Sequence, residues 1–146
     1  MKLSTRSRYG TRLLLDMAQR YDQGPIQLGD IAKRQEISLK YLEQIIIPLK
    51  KAHLVVTVRG PKGGHILARP PAEITLAEIV SLLEENVSLV QCTENAAICR
   101  RAETCPTRLI WKEMSQAMIG LLKSVTLADL VEKAKMVANR ELSQVV

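Results

Sequence analysis

The stretch Ser38-Leu39-Lys40-Tyr41-Leu42-Glu43-Gln44-Ile45-Ile46-Ile47-Pro48-Leu49-Lys50-Lys51 decides how the first half of the chain is read. Leu42, Ile45, Ile46 and Leu49 recur at helical spacing, and Ser38 supplies an N-cap for a helix beginning at Leu39. Lys40, Tyr41, Gln44 and Lys51 lie mostly off that stripe. Pro48 has no N–H to donate, so it predicts a kink or an early end that leaves two straight turns. Just upstream, Ile31 and Ala32 mark a short inward-facing helix over residues 28–33, and Gln35-Glu36-Ile37 a tight turn. Two short helices joined by a brief turn form a helix-turn-helix, in which the second helix enters a DNA major groove.

Working outward, Tyr9, Leu13, Leu14 and Met17 place a first helix over residues 5–21, ended by Gly24-Pro25. Downstream, Leu54-Val55-Val56-Thr57-Val58 and His65-Ile66-Leu67-Ala68 read as two strands around the turn Arg59-Gly60-Pro61-Lys62-Gly63-Gly64. The hairpin is the wing of a winged helix-turn-helix. Ser38, Lys40, Tyr41, Glu43 and Gln44 sit at the end of the reading helix that contacts bases and phosphates, and Tyr9 joins them as a DNA-facing candidate. Gln44 matches the donor–acceptor pair of adenine; Glu43 only accepts, typically from cytosine, and repels phosphate, which favours discrimination over generic adhesion. A solvated helix face would account for these residues alone, but the hairpin that follows tips the balance. At its tip Gly60 lets the backbone approach DNA closely, Arg59 fits a narrow minor groove, and Lys62 adds charge. His65 is read as a hairpin or phosphate-facing residue rather than a metal ligand, and His53 as structural.

Charge divides the chain in the same place. Residues 1–70 carry thirteen Lys/Arg against five Asp/Glu, whereas residues 71–146 carry eight against ten. Only the first half therefore suits a polyanion. With three Tyr, one Trp and no Phe the core must be aliphatic. No apolar run approaches the ~20 residues of a membrane span. The charged start gives way only to Leu13-Leu14-Leu15 before Asp16, too short for a signal peptide, so a cytoplasmic location is expected.

In the second half Arg69-Pro70-Pro71 is a stiff link. Thr75-Leu76-Ala77-Glu78 reads as a capping box, with Ile74 and Ile79 as a hydrophobic staple, opening a helix over residues 76–84. Thr104-Cys105-Pro106 caps the next helix. There Trp111, Met114, Met118, Leu121 and Val125 follow spacings of three, four, three and four, the seam of a two-stranded coiled coil, which predicts a homodimer. Thr126-Leu127-Ala128-Asp129 opens a last short helix, with the tail beyond Asn139 frayed. The expected fold is mainly α with a small β-hairpin. A winged helix-turn-helix domain (1–71) leads to a connecting helix and cysteine loop (72–105), then to a long dimerisation helix with a short C-terminal helix (106–146).

All three cysteines, Cys92, Cys99 and Cys105, fall in one polar stretch, with six and then five residues between them. Free cysteines usually scatter through apolar cores, so this crowding points to binding or redox chemistry. Structural zinc favours a short C-x(2–4)-C pair, which is missing, and a disulfide leaves one thiol over. Arg100 and Arg101 favour the thiolate forms.

The chain resembles the IscR/NsrR/CymR family of bacterial winged-helix regulators over about residues 1–130. The resemblance rests on Leu3-Ser4-Thr5-Arg6-Ser7-Arg8-Tyr9, Ile37-Ser38-Leu39-Lys40-Tyr41-Leu42-Glu43-Gln44, Val58-Arg59-Gly60-Pro61-Lys62-Gly63-Gly64 and the cysteine trio. The Leu42-Glu43-Gln44 triplet is similar to the IscR branch. The resemblance implies an iron–sulfur cluster on Cys92, Cys99 and Cys105 near a dimer interface, and Glu43 as a discriminator between operator classes. Thiolates suit such clusters. IscR-type members carry a histidine three residues after the last cysteine, where this chain has Arg108; NsrR-type members carry an acidic residue where it has Arg8. An arginine has no lone pair to donate. Glu103, Thr107, a residue of the partner's first helix, or an exogenous thiolate or water remain for the fourth position. A 2Fe–2S cluster is favoured by the resemblance and a 4Fe–4S cluster stays open.

The expected function is a homodimeric transcription regulator on a pseudo-palindromic operator of double-stranded DNA, modulated by the cluster. The alternatives are a cluster-free thiol redox-sensing regulator and, in another class, a small iron–sulfur electron-transfer protein. No nucleotide loop or catalytic base marks an enzyme.

Overall fold

A computed structural model describes residues 2–145. Helix α1 (Thr5–Gln19) starts at Ser4, whose hydroxyl accepts from the Ser7 N–H, and buries Leu13, Leu14 and Met17. It ends two residues before the expected Tyr21, which instead opens a 3-10 turn over Tyr21–Gln23 before Gly24. Helices α2 (Leu28–Gln35) and α3 (Leu39–Lys51) follow, joined where Glu36 adopts the left-handed conformation at φ 53°. The Ser38 hydroxyl accepts from the Tyr41 N–H, the N-cap expected of it.

Pro48 does not end α3 early; the helix is continuous to Lys51. A proline in a helix interior forfeits one backbone hydrogen bond and strains the preceding turn. Here Leu42, Ile45 and Ile46 before it and Leu49 after it are buried on one face, so packing on both sides holds the helix together. Strands β1 (Val55–Val58) and β2 (Gly64–Leu67) pair antiparallel in the register Val55 to Leu67 and Val58 to Gly64. Ile26 exchanges both backbone hydrogen bonds with His65, at 2.9 and 2.8 Å, tying the hairpin to the link before α2.

Helix α4 (Leu76–Leu83) is capped by Thr75, which accepts from the Glu78 N–H. The expected capping box is only half formed, because the Glu78 carboxylate pairs with Arg69 instead. A complete capping box appears at Thr126 and Asp129, where it opens α6 (Leu127–Gln144). That helix is neither short nor frayed beyond Asn139. Its later residues, among them Ala134, Lys135, Met136, Ala138, Glu141 and Leu142, are strong helix formers that need no buried stripe. Helix α5 spans Pro106–Ser124, with Val125 past its end, where its carbonyl accepts from the Leu76 N–H at 2.8 Å. Val125 is therefore not part of the α5 seam.

A single apolar core joins Leu13, Leu14, Ile31, Leu42, Ile45, Leu49 and Leu54 to Ile74, Ile79, Leu83 and Leu127. Helices α4 and α6 both lie against α1, so the winged helix and the second half share one interior. Among the described residues, six α-helices and a two-stranded hairpin make a mainly α winged helix-turn-helix. No described helix is long and apolar enough to cross a membrane.

Candidate DNA-reading face and cysteine loop

The reading face begins with the geometry of α1 against α3. Tyr41 meets Tyr9 edge-on, with ring centroids 5.8 Å apart and an interplanar angle of 86°. The Arg12 guanidinium lies 5.4 Å from the centre of the Tyr9 ring. Arg12 also donates to the side chain and to the backbone carbonyl of Gln35. Tyr9 and Tyr41 are thus both half-buried, each ring bracing the other, while Ser38 at the cap and Lys40, Glu43 and Gln44 on α3 stand exposed. Arg6 shares a cleft with Tyr41, Gln44 and Ile45. Sequence reasoning passed over Arg6; its signal was the three-residue offset that sets it on the Tyr9 face of α1.

The helix-turn-helix is pinned from within by Asp16, 1% exposed. Arg34 donates to both of its oxygens at 3.0 and 2.7 Å, Gln35 donates at 3.0 Å, and Arg20 pairs with it at 3.2 Å. Burial alone would raise the Asp16 pKa, but the Arg34 and Gln35 hydrogen bonds and the charge of Arg20 bring it below the ordinary carboxylate value.

In the wing, Arg59 and Lys62 are exposed at the tip. Gly60 sits at φ 116°, which side-chain-bearing residues rarely adopt, and its carbonyl accepts from the Gly63 N–H at 3.0 Å. A Cβ on Gly64 would lie 2.6 Å from the Ile26 carbonyl oxygen, so a glycine is needed for the hairpin to seat. His65 is half-buried with Nδ1 3.3 Å from the Thr57 hydroxyl. Burial, and then the charge of Lys50, lower its pKa, which favours neutral imidazole. His53 follows α3 in a left-handed conformation at φ 57°.

The cysteines lie in the second half of the chain, between α4 and α5. Cys92 is half-buried in the 3-10 turn Gln91–Thr93, Cys99 is exposed after the turn Ala96–Ile98, and Cys105 is the N-cap residue of α5. Cys105 Sγ lies 3.1 Å from the Thr107 hydroxyl. That contact, the Arg108 and Thr107 backbone N–H groups and the charge of Arg101 push the thiol below its ordinary pKa. Arg108 donates from Nε to the Cys92 carbonyl at 2.7 Å and from Nη1 to the Ala102 carbonyl at 3.3 Å. Among the described residues no three His, Cys, Asp or Glu side chains are grouped to hold a metal ion, so the three thiols are not brought to one point. Glu103 and Thr107 are exposed beside them.

Further along α5, Trp111, Met114 and Leu121 are 38%, 48% and 65% exposed, and Leu109 and Ile110 are exposed as well. Met118 is half-covered. The fold and these surfaces define a winged-helix DNA-binding regulator. The sequence pattern of the Rrf2 family, described as an iron-dependent transcriptional regulator, matches residues 3–133. The protein rrf2 of Nitratidesulfovibrio vulgaris is 45% identical over 136 residues, 93% of this chain and 91% of that one. The transcriptional regulator IscR of Cronobacter sakazakii is 37% identical over 131 residues, 90% of this chain and 80% of that one. Among solved structures, CymR of B. subtilis, the global cysteine regulator, superposes with a TM-score of 0.79 at 34% identity, covering 91% of this chain and 98% of its own. IscR of T. potens gives 0.76 at 36% identity, covering 92% and 88%. The chain belongs to the Rrf2 family of transcriptional regulators, which are not enzymes.

Proposed function

We propose that this regulator works as a homodimer whose grip on a pseudo-palindromic operator is set by an iron–sulfur cluster bound to Cys92, Cys99 and Cys105. Pairing along Trp111, Met114 and Leu121 of α5 presents two α3 helices to major grooves one turn apart, ~34 Å. Ser38, Lys40, Tyr41, Glu43 and Gln44 then meet bases and phosphates, with Tyr9 bracing Tyr41 and Arg6 adding a cation from α1. Arg59, Gly60 and Lys62 of the wing meet the neighbouring backbone or minor groove.

The observation that carries this reading is that the cysteine loop ends on the same helix that exposes an apolar face. Cys105 caps α5, and the exposed apolar face of the same helix begins within one turn of it. Ordering the loop at that end therefore biases how two copies pair, and a coupling of ~1–3 kcal/mol changes affinity several-fold to about a hundredfold. The donor set fits the cluster in kind: three thiols in one loop, one of them already biased toward thiolate, with Arg100 and Arg101 to offset negative charge. When bound, the cluster would supply redox- and iron-dependent occupancy of the loop. A second reading, in which the same thiols sense oxidants without metal, is supported by the exposure of Cys99 and the acidified Cys105 thiol.

Anaerobic native mass spectrometry of the protein and of Cys92→Ala tests both. Dimer mass with iron and sulfide that disappear in the variant is expected. Colourless, iron-free dimers that still bind promoter DNA and lose it on oxidation would favour the thiol reading. Affinity for DNA should fall with salt as phosphate contacts are screened.

A further inference from the structure

The segment 91–105 has almost no apolar anchor. Ala102 is its one fully buried residue; Cys92, Thr93 and Cys105 are half-covered and the rest are exposed. Its internal hydrogen bonds are short-range. Thr93 and Asn95 bond back to Val90 and Gln91, Cys99 to Ala96, Ala102 to Cys99, and Thr104 to Arg101. Each closes a turn of five residues or fewer, so none of them fixes one end of the loop against the other. Among the described residues, only Arg108 bonds across it. From the first turn of α5 its guanidinium reaches sixteen residues back to the Cys92 carbonyl and six back to that of Ala102.

The structure assigns Arg108 the part of a positioning residue that clasps the cysteine loop to α5 and fixes Cys92 relative to Cys105 before anything binds. A guanidinium suits this work, because its planar fork donates in several fixed directions while an ammonium acts as a point charge. Cys105 is itself held to the same turn of α5 through Thr107. Two of the three thiols are thereby tied to one rigid helix end. Cys99 stands apart: exposed, with no side-chain hydrogen bond among those described, and flanked by Arg100. Loading the loop then consists mainly of bringing Cys99 to a pair already in place, which lowers the ordering that binding must supply. The clasp stands whether or not the loop takes a cluster; only its consequence for loading rests on the function proposed above.

Site-resolved alkylation of the metal-free protein with N-ethylmaleimide, under anaerobic conditions and read by mass spectrometry, tests the clasp. In the wild type Cys99 should react fastest and Cys92 slowest. Arg108→Ala should raise the Cys92 rate by about tenfold or more, the effect of losing a charge-assisted hydrogen bond, with Cys99 unchanged. Arg108→Lys, which keeps the charge and most of the stem, should restore only part of the protection. Hydrogen exchange at the Ala102 amide should quicken in parallel, with the melting transition of the winged helix unmoved. Equal Cys92 rates in all three proteins would overturn the inference. So would a uniform rise at all three cysteines in Arg108→Lys, which would mark general loosening. Anaerobic reconstitution with ferrous iron and sulfide supplies the second arm. Arg108→Ala should take up less iron per chain, with an altered visible spectrum. If neither protein takes up iron, the cluster reading fails while the alkylation result still decides the clasp.

Discussion

The winged helix and the cysteine loop reach their forms by different means. In the first, Leu13, Leu14, Ile31, Leu42, Ile45 and Leu49 interlock three helices, and the buried Asp16 carboxylate draws Arg34, Gln35 and Arg20 around it. In the second, the segment between α4 and α5 is a chain of tight turns with one buried alanine and one arginine across it. A reading head must hold its side chains at fixed spacing before DNA arrives. In the function proposed above, the loop gains order when its ligand arrives, which suits a segment from the low-stability end of a structure. Helix α5 bridges the two, rooted on α4 at one side and leaving Trp111, Met114 and Leu121 outside the core.

The contrast can be tested from both sides. The largest effect is expected from Met114→Asp combined with Leu121→Asp, which places charge on the exposed face of α5. Loss of the dimer in sedimentation should lower operator affinity by about 10²–10⁴-fold, the avidity of two linked heads, while the winged helix stays folded. If the variant remains dimeric, α5 is not the pairing surface. Next, Asp16→Ala removes the acceptor shared by Arg34, Gln35 and Arg20 and should cost about 2–3 kcal/mol in urea unfolding. The Asp16 shift carries a sign. Its folded pKa lies below the unfolded value, so the stabilisation is present above the unfolded carboxylate pKa and is lost as pH falls through the folded one. The variant's acid-unfolding profile should therefore be flatter than that of the wild type.

A smaller change is expected from Glu43→Ala, which removes an acceptor-only side chain from the reading face. It should relax discrimination among operator variants by about 1–3 kcal/mol, and unchanged binding to all of them would refute the assignment. The smallest effect belongs to the loop. Replacing Cys92, Cys99 and Cys105 together by Ser should move the stability of metal-free protein by no more than about 0.5 kcal/mol, because none is fully buried. A larger loss would mean that the loop is part of the folding unit after all.

The first half was legible because each of its elements carries a local code. Ser38 caps α3, the Ile and Leu spacings name the buried faces, and the glycines around Lys62 name the hairpin tip. The early end that Pro48 suggests does not form, because its cost is local, whereas the packing that overrides it comes from residues on both sides. Helix α6 was cut short for the opposite reason. It has few buried residues to advertise its length, and only its capping box and helix-forming composition extend it. The Thr75 capping box went half-formed because Arg69, nine residues upstream, competes for the Glu78 carboxylate. Tyr9 and Arg6 illustrate the same limit at the reading face, where which of the two is outermost depends on how α1 crosses α3.

Order along the chain was enough to determine the winged helix-turn-helix, the charge divide and the gathering of three thiols into one polar segment. Those features depend on spacing and side-chain type, which act over a few residues. What required the folded molecule was the continuity of α3 through Pro48, the edge-on packing of Tyr9 against Tyr41, and the reach of Arg108 to Cys92. Each is decided by which surfaces meet across the interior or around a helix end, and sequence separation alone carries no record of that.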